Sequence, residues 1–265
     1  MGTSIAAWGL FHGLEIKLYV RDSSKFELTL LKVRKNLRGV VEKPDLALRM
    51  LSLTNDLTEL QSSSVIFECL SEDFDVKIAY LTKILKSSVR DSPIVCTVTS
   101  SIPIELMSQS LNDPPNFMAA HFFNPVIKCP VVELCPTNAT SENSLEVIKS
   151  FLELNGLQTV KTRSRPGFLV NHLLFEYLNA ALLLFFEEKE SCADIDRSMK
   201  LACNHPMGPF QLIDFIGLDV TKAILINLSK NEKYAVSISH LDTMIEAGKL
   251  GRKNGLGFYN YKVKE

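Results

Sequence analysis

Short apolar runs alternate with amphipathic stretches through the first half of the chain. The runs EIKLYV, SVIFECL and SPIVCTV are rich in β-branched residues and have the length of buried strands. Helical spacing of apolar residues marks the stretch MGTSIAAWGLFHG, which ends in a glycine, and the stretch VKIAYLTKILKS. Strands that alternate with helices, and that are apolar at nearly every position, predict a parallel, doubly wound sheet with helices on both faces.

The same alternation continues to about residue 163. NFMAAHFF and PVVEL resemble two more strands, and QTVKTR is compatible with another. In the helical stretch TSENSLEVIKSFLELNG, the residues Thr140 and Ser141 are suitable caps, and Gly156 is a suitable stop. Together these elements predict that the α/β part of the chain extends over more than half of its length.

The pattern changes near Ser164. This serine as a cap and Pro166 in the first turn predict a long helix through about Glu188. Beyond it we find helical patterns and turns, with no convincing strand until the last few residues. The sequence therefore predicts two domains, an α/β domain over residues 1–164 and an all-α domain over residues 165–265.

Composition narrows the class of protein. The chain has 265 residues, 46% of them apolar, which is enough for a large core without disulfides. The 29 basic and 30 acidic residues give a net charge of −1, so charge offers no argument for nucleic acid or an anionic membrane as a partner. The six cysteines form no CxxC pair and mostly sit in apolar runs, which suits free thiols in a reducing compartment. No apolar run reaches the roughly 18 residues of a membrane span, and no export signal is evident, so we expect a cytoplasmic protein. If the N-terminus is incomplete, the mitochondrial matrix and the peroxisome are the alternatives.

His121 and Glu133 are the first candidates for chemistry. His121 ends a predicted strand, where open α/β sheets bind their ligands. Glu133 lies within the next predicted strand, where a buried carboxylate needs a partner. If the strands are neighbours, Glu133 accepts from one ring nitrogen and leaves the other free as a base. The alternatives are a hydrogen-bonded core histidine and a solvent-facing glutamate on an edge strand.

Three further positions carry weaker signals. Asn171 shares a predicted helix face with Leu174 and Leu178, so its amide needs partners, which are either structural or on a ligand. Ser100 follows a strand and is equally suited to capping a helix. Lys253 lies in a basic turn that is either simply solvated or meets a phosphate. The five histidines have no ligand spacing, so we predict no metal site.

Four stretches, AAHFFNPVIKCPVVEL, RPGFLVNHLL, HPMGPFQLIDFIGLD and GRKNGLGFYNY, resemble the L-3-hydroxyacyl-CoA dehydrogenase family in their order and spacing. The resemblance covers the whole chain. It implies a Rossmann-like α/β domain that binds NAD, followed by a helical domain that forms a homodimer. It also implies oxidation of an L-3-hydroxyacyl-CoA to the 3-oxoacyl-CoA, with acyl-CoA as the partner molecule.

The resemblance also assigns roles to residues. It implies that His121 is the catalytic base, that Glu133 orients it, and that Ser100 and Asn171 contact the substrate. The cofactor contacts that it implies are Gly2, Glu72, Lys77, Asn124 and Lys253. A non-catalytic acyl-CoA-binding or scaffold protein with a degraded cofactor site is the alternative function, and a dehydrogenase of another hydroxy acid is a third.

The sequence departs from the family pattern near the cofactor. Only Gly2 matches the G-x-G-x-x-G turn, as its third glycine. We therefore expect either that the sequence is an N-terminally incomplete fragment or that the sheet lacks its first strand. Val20 stands where the family has an acidic residue for the adenosine ribose, and Asp22 follows two positions later. This change leaves NADP as a second possible cofactor.

Overall fold

The structure is a computed structural model of the chain and describes residues 1–86, 93–228 and 232–262. The chain divides into two compact units, Met1–Phe168 and Leu169–Glu265. The strands of the first unit are β1 (Ile16–Tyr19), β2 (Leu51–Thr54), β3 (Val65–Glu68), β4 (Ile94–Thr97), β5 (Phe117–Phe122), β6 (Val131–Pro136) and β7 (Gln158–Lys161). Its α-helices are α1 (Gly2–Phe11), α2 (Phe26–Leu37), α3 (Pro44–Ala47), α4 (Phe74–Lys86), α5 (Ile104–Ser110) and α6 (Glu142–Leu154).

The strands form two separate sheets. β1 and β2 pair in parallel, and the other strands form a five-stranded sheet in the order β3-β4-β5-β6-β7. All neighbours in the larger sheet are parallel except β5 and β6, which are antiparallel. The predicted α/β, Rossmann-like class with an incomplete sheet is thus confirmed, whereas a wholly parallel sheet was wrong at β5 and β6. A short connection joins those two strands, and a short connection favours an antiparallel pair.

The first unit packs helices on its sheets as the apolar pattern predicted. Every residue of β4 and β5 is buried, as expected for central strands covered on both faces. The helix α1 is apolar around most of its circumference because it packs in two directions. Its Trp8 joins the core of the larger sheet, and its Leu10 packs with Val33 and Leu37 of α2.

The predicted cap of α6 is confirmed. Ser141 is the N-cap, and its Oγ accepts from the backbone N–H of Ser144 at 3.1 Å. The apolar stripe of α6, at Leu145, Ile148 and Leu152, is buried against the sheet. Such a cap contributes about 1 kcal/mol, while the buried stripe decides which face the helix turns toward the core.

One strand was not predicted, and one expectation about local structure was wrong. The strand β2 lies in a stretch to which the pattern assigned no element. The long helix α7 (Val170–Phe186) begins at Val170 rather than next to Ser164, because the backbone at Gly167 and Phe168 has positive φ angles of 76° and 49°. A left-handed backbone cannot continue a helix, so these two residues form a turn before it.

The second unit contains α7, α8 (Cys192–Ala202), α9 (Pro209–Ile216), α10 (Leu218–Leu228) and α11 (Ala235–Glu246). No helix among the described residues is long and apolar enough to cross a membrane. The turn near the C-terminus closes over Asp214, whose carboxylate accepts from the backbone N–H groups of Phe258 at 2.9 Å and Tyr259 at 3.0 Å. Glycine is required at Gly257, since a Cβ there would lie 1.9 Å from the Asp214 Oδ1.

Candidate active site

His121 and Glu133 lie opposite each other on β5 and β6. The antiparallel register places them as direct partners, so their side chains leave the same face of the sheet. The distance from His121 Nδ1 to Glu133 Oε2 is 2.7 Å. His121 is 7% exposed and Glu133 is 1% exposed, so the pair is almost shielded from water. A carboxylate at Nδ1 holds the proton there and leaves Nε2 as the basic nitrogen.

Two aromatic rings lie beside this imidazole. The Phe123 ring lies edge-on with its centroid 4.8 Å from that of His121, and the Phe168 ring is tilted at 5.3 Å. Phe168 was not predicted as a site residue, and the only signal for it was its position after the RPG sequence. The rings limit access of water to the imidazole, which strengthens its interaction with the carboxylate.

Glu72 organises the loop that carries Ser100. Its Oε1 accepts from the Thr99 hydroxyl at 2.5 Å and from the Ser101 hydroxyl at 2.9 Å. The same oxygen also accepts from the backbone N–H groups of Ser100 at 3.0 Å and Ser101 at 3.1 Å. The Ser100 carbonyl in turn accepts from the Gly167 N–H at 3.2 Å. The Ser100 loop is therefore joined to the turn whose next residue lies against His121.

The charge of Glu72 suits this role. Burial acts to raise the pKa of its carboxyl group, but the hydrogen bonds from Thr99, Ser100 and Ser101 and the positive charge of Lys77 act in the opposite direction. The hydrogen bonds and the charge of Lys77 together outweigh the effect of burial, so the pKa of Glu72 lies below its ordinary value. The carboxylate stays ionised and keeps its hydrogen bonds at neutral pH.

Lys77 is fully buried beneath Glu72. Its Nζ donates to the two carboxylate oxygens of Glu68 at 2.9 and 3.0 Å and lies 3.6 Å from Glu72 Oε2. Glu68 also accepts from the Thr97 hydroxyl at 2.7 Å. Sequence reasoning missed Glu68, although a charged residue in the apolar run VIFEC was a signal for it. The structure thus brings Glu72, Lys77 and Ser100 into one connected network.

Gly2 and its neighbours lie where a dinucleotide would bind, at the carboxyl end of the parallel strands. α1 begins at Gly2, and a Cβ on this residue would lie 3.4 Å from the Cys69 Cβ, just past the end of β3. The N-terminus of a helix at the carboxyl end of parallel strands suits a pyrophosphate, because its free N–H groups and dipole attract anions. Residues 1–3, 20–22 and 69–71 line one cavity of about 1230 Å³. These features fit NAD at its pyrophosphate.

The part of the cavity that would hold the adenosine of NAD fits the cofactor less well. Val20 offers no hydrogen bond to a ribose hydroxyl. Asp22 caps the short turn that follows, because its Oδ1 accepts from the Ser24 N–H at 3.0 Å and the Ser24 hydroxyl at 2.7 Å. A missing bond between a hydroxyl and a carboxylate reduces binding by about 1.5–3 kcal/mol.

Three predicted residues lie apart from these networks. Asn124 is exposed, three residues after His121. In the second unit, Asn171 is half-buried in the first turn of α7, and Lys253 forms an ion pair with Asp219.

Comparison with known proteins covers nearly the whole chain. Residues 1–165 match the family model described as 3-hydroxyacyl-CoA dehydrogenase, NAD binding domain, and residues 167–261 match the model of the C-terminal domain of that family. The chain is 31% identical to a Mycobacterium tuberculosis 3-hydroxybutyryl-CoA dehydrogenase over 271 residues, which is 98% of this chain and 95% of that protein. It is 34% identical to the human mitochondrial hydroxyacyl-coenzyme A dehydrogenase over 255 residues, which is 92% of this chain and 81% of that protein.

Solved structures agree with these relatives. The crystal structure of M. tuberculosis FadB2 has a TM-score of 0.90 at 31% identity, covering 98% of this chain and 95% of that one. The crystal structure of (S)-3-hydroxybutyryl-CoA dehydrogenase PaaH1 from Ralstonia eutropha has a TM-score of 0.88 at 29% identity, covering 99% of this chain and 96% of that one.

Proposed function

The chain belongs to the 3-hydroxyacyl-CoA dehydrogenase family, and on that premise we propose that it oxidises an L-3-hydroxyacyl-CoA to the 3-oxoacyl-CoA with NAD, and catalyses the reverse reduction. The observation that carries this proposal is the buried His121–Glu133 pair, with its 2.7 Å hydrogen bond. It supplies a base of fixed tautomer within an apolar environment, as removal of a hydroxyl proton requires.

In the proposed reaction His121 takes the proton of the substrate C3 hydroxyl on Nε2. The C3–O bond becomes a carbonyl as the C3 hydrogen leaves with its electron pair, and bound NAD would accept that hydride. Glu133 stabilises the imidazolium that forms, because its carboxylate keeps the proton on Nδ1 between the two residues. Positioned base catalysis of this kind contributes on the order of a hundred- to ten-thousand-fold in rate.

Other residues of the chain would hold the substrate and cofactor. Ser100 would bond the C3 oxygen. Two backbone hydrogen bonds that hold Ser100 in place support this role, one from its N–H to Glu72 and one from the Gly167 N–H to its carbonyl. Asn171 would bond the thioester end of the acyl-CoA. These contacts orient the reacting carbon rather than transfer a proton.

For the cofactor, we propose that the start of α1 at Gly2 holds the pyrophosphate and that Asn124, Glu72 and Lys253 contact the nicotinamide nucleotide. The buried position of Lys77 supports an indirect role, in which it holds the carboxylate of Glu72 in place. Its own ammonium group is already used by Glu68.

The proposed activity is tested by oxidation of NADH with acetoacetyl-CoA as the oxidant. We expect turnover by the purified chain and its loss, by about a hundredfold or more, in His121→Gln. The control is His12→Gln, which removes a half-buried histidine at the end of α1. Equal turnover in His121→Gln and the wild type would refute the assignment. If the wild type also fails with NADH while still binding acetoacetyl-CoA, a non-catalytic acyl-CoA-binding role is favoured.

We also propose that the chain forms a homodimer through its helical unit. The support is apolar exposure in that unit, where Leu173, Leu201 and Phe215 are 66%, 75% and 60% exposed. Large apolar side chains at the surface favour burial against a partner. Light scattering should give twice the mass of one chain, and Leu201→Lys together with Phe215→Lys should shift it toward one chain if these residues form the interface. A monomeric wild-type protein would refute the proposal.

A further inference from the structure

The start of α1 and the carboxyl end of β1 line the same cavity. The end of α1 packs on the start of β1, because a Cβ on Gly9 would lie 2.6 Å from the Cδ1 of Ile16. The other ends of these two elements carry Gly2 and Val20, and both residues line the cavity of about 1230 Å³. In dinucleotide-binding sheets, the residue at the end of this strand, roughly 20 positions after the phosphate turn, contacts the 2′-position of the adenosine ribose. Val20 holds that position in this chain.

The position of Val20 carries no carboxylate that would select NAD. An acidic side chain there accepts from the ribose 2′-hydroxyl of NAD and repels the 2′-phosphate of NADP. Asp22, two positions later, is used within its own turn, since its Oδ1 accepts from the backbone N–H and the hydroxyl of Ser24. The Oδ2 of Asp22 lies 3.9 Å from the Nζ of Lys25. The residue type that discriminates against a 2′-phosphate is therefore missing at Val20.

Cationic side chains line this part of the cavity instead. We call it the adenosine end, and it is lined by Val20, Arg21, Asp22, Lys25, Thr29 and Lys32. Lys25, Thr29 and Lys32 follow one another at helical spacing, so one face of α2 and of the turn before it carries them toward the cavity. Arg21 and Lys32 form no ion pair with any residue in the described ranges. With three cations and one carboxylate, the adenosine end has a net charge of +2.

The other carboxylates of the cavity do not offset this charge. Glu15 precedes β1 and so lies at the opposite end of that strand from Val20. Glu68 is buried, and both of its carboxylate oxygens accept from the Nζ of Lys77. A phosphate at the adenosine end would therefore be attracted by the cations there with little opposing charge.

We propose that Arg21 and Lys25 bind the 2′-phosphate of NADP at the adenosine end, so that the chain accepts NADP and NADPH as well as NAD and NADH. The guanidinium of Arg21 can donate two parallel hydrogen bonds to a phosphate, and the ammonium of Lys25 supplies a second positive charge. Hydrogen bonds between charged groups of this kind increase affinity by about tenfold or more. The inference rests on the proposed use of a nicotinamide dinucleotide and assigns the residues that select its adenosine half.

The test uses the adenosine half of the cofactor, so that it does not depend on turnover. Calorimetric titration of the full chain compares 2′,5′-ADP, which carries the 2′-phosphate, with 5′-AMP, which lacks it. The test variant combines Arg21→Gln with Lys25→Gln. The matched control combines Arg38→Gln with Lys35→Gln, which also removes one arginine and one lysine, both exposed and neither lining the cavity. NADPH and NADH are titrated in parallel.

The wild type should bind 2′,5′-ADP at least about tenfold more tightly than 5′-AMP, and NADPH at least as tightly as NADH. In the test variant the preference for 2′,5′-ADP should fall to within about twofold, with the affinity for 5′-AMP unchanged, whereas the control should keep the preference. Equal affinities in the wild type, a preference that survives in the test variant, or no binding of 2′,5′-ADP would each overturn the proposal. If acetoacetyl-CoA gives no turnover with either NADH or NADPH while the preference for 2′,5′-ADP is present, the proposed oxidation fails and the phosphate site stands.

Discussion

Replacing Glu133 by glutamine removes the charge beside His121 while keeping the size of the side chain. The amide oxygen can still accept from Nδ1–H, so the tautomer is retained, but the imidazolium of the proposed mechanism loses its counter-charge. The pair lies at 2.7 Å with Glu133 only 1% exposed, so solvent screens this interaction little. A hydrogen bond to a charged group contributes about 1.5–3 kcal/mol. Since about 1.4 kcal/mol corresponds to tenfold in rate, kcat should fall roughly ten- to 150-fold.

The assay compares kcat and KM of Glu133→Gln with those of the wild type in NADH oxidation by acetoacetyl-CoA. KM should stay within about twofold, because Glu133 acts through His121 and does not contact the substrate. Glu146→Gln on the exposed face of α6 serves as the control for loss of a carboxylate. A kcat within about twofold of the wild type, in a variant with unchanged Tm, would show that the buried charge does not assist the proton transfer.

Three further perturbations test the supporting structure. Glu72→Gln should lower the Tm of the first unit at neutral pH, and the difference in Tm from the wild type should become smaller in acid. The pKa of Glu72 is lowered in the folded protein, so the stability that its carboxylate contributes is complete above the ordinary pKa of 4.5 and is lost as the pH falls through the folded pKa. A difference in Tm that stays constant down to pH ~3 would contradict this reasoning. Lys77→Met should lower the free energy of unfolding in urea by about 3–5 kcal/mol, because it leaves the buried carboxylate of Glu68 without its counter-charge. A loss under about 1 kcal/mol would contradict this expectation. Gly257→Ala should lower the Tm of the second unit more than Gly248→Ala, because a Cβ on Gly257 would meet the carboxylate of Asp214. A Cβ on Gly248 would meet nothing within 4 Å, so the loss in Gly248→Ala comes only from its positive φ of 76°. Equal losses in the two variants would exclude the clash as the cause.

The candidate site shows which inferences were accessible from sequence. His121 and Glu133 were predicted on consecutive strands, and consecutive strands are commonly neighbours, so their pairing followed from local pattern and a general topological rule. The register that places them opposite each other confirms this part of the prediction. Phe168 was missed, because its contact with His121 depends on a left-handed turn formed 47 positions further along the chain.

The network around Glu72 could likewise be predicted from the sequence only in part. The family resemblance implied that Glu72 and Lys77 are cofactor contacts, but the sequence did not indicate that Glu68 would neutralise Lys77. That ion pair exists because β3 and α4 pack together and bury both groups, which leaves each as the best available partner of the other. Burial of this kind is decided by packing between elements rather than by the neighbours of a residue along the chain.

The sequence by itself determined the alternation of strands and helices, the change to an all-α part, and the capped, amphipathic α6, because these depend on periodicity and on residues a few positions apart. The tertiary structure alone decided that β5 and β6 are antiparallel and that α7 begins at Val170. These features arise from contacts between residues far apart in the chain, whose energies are set only when the elements pack. Local pattern cannot specify them, because one apolar strand is compatible with several neighbours and with either direction.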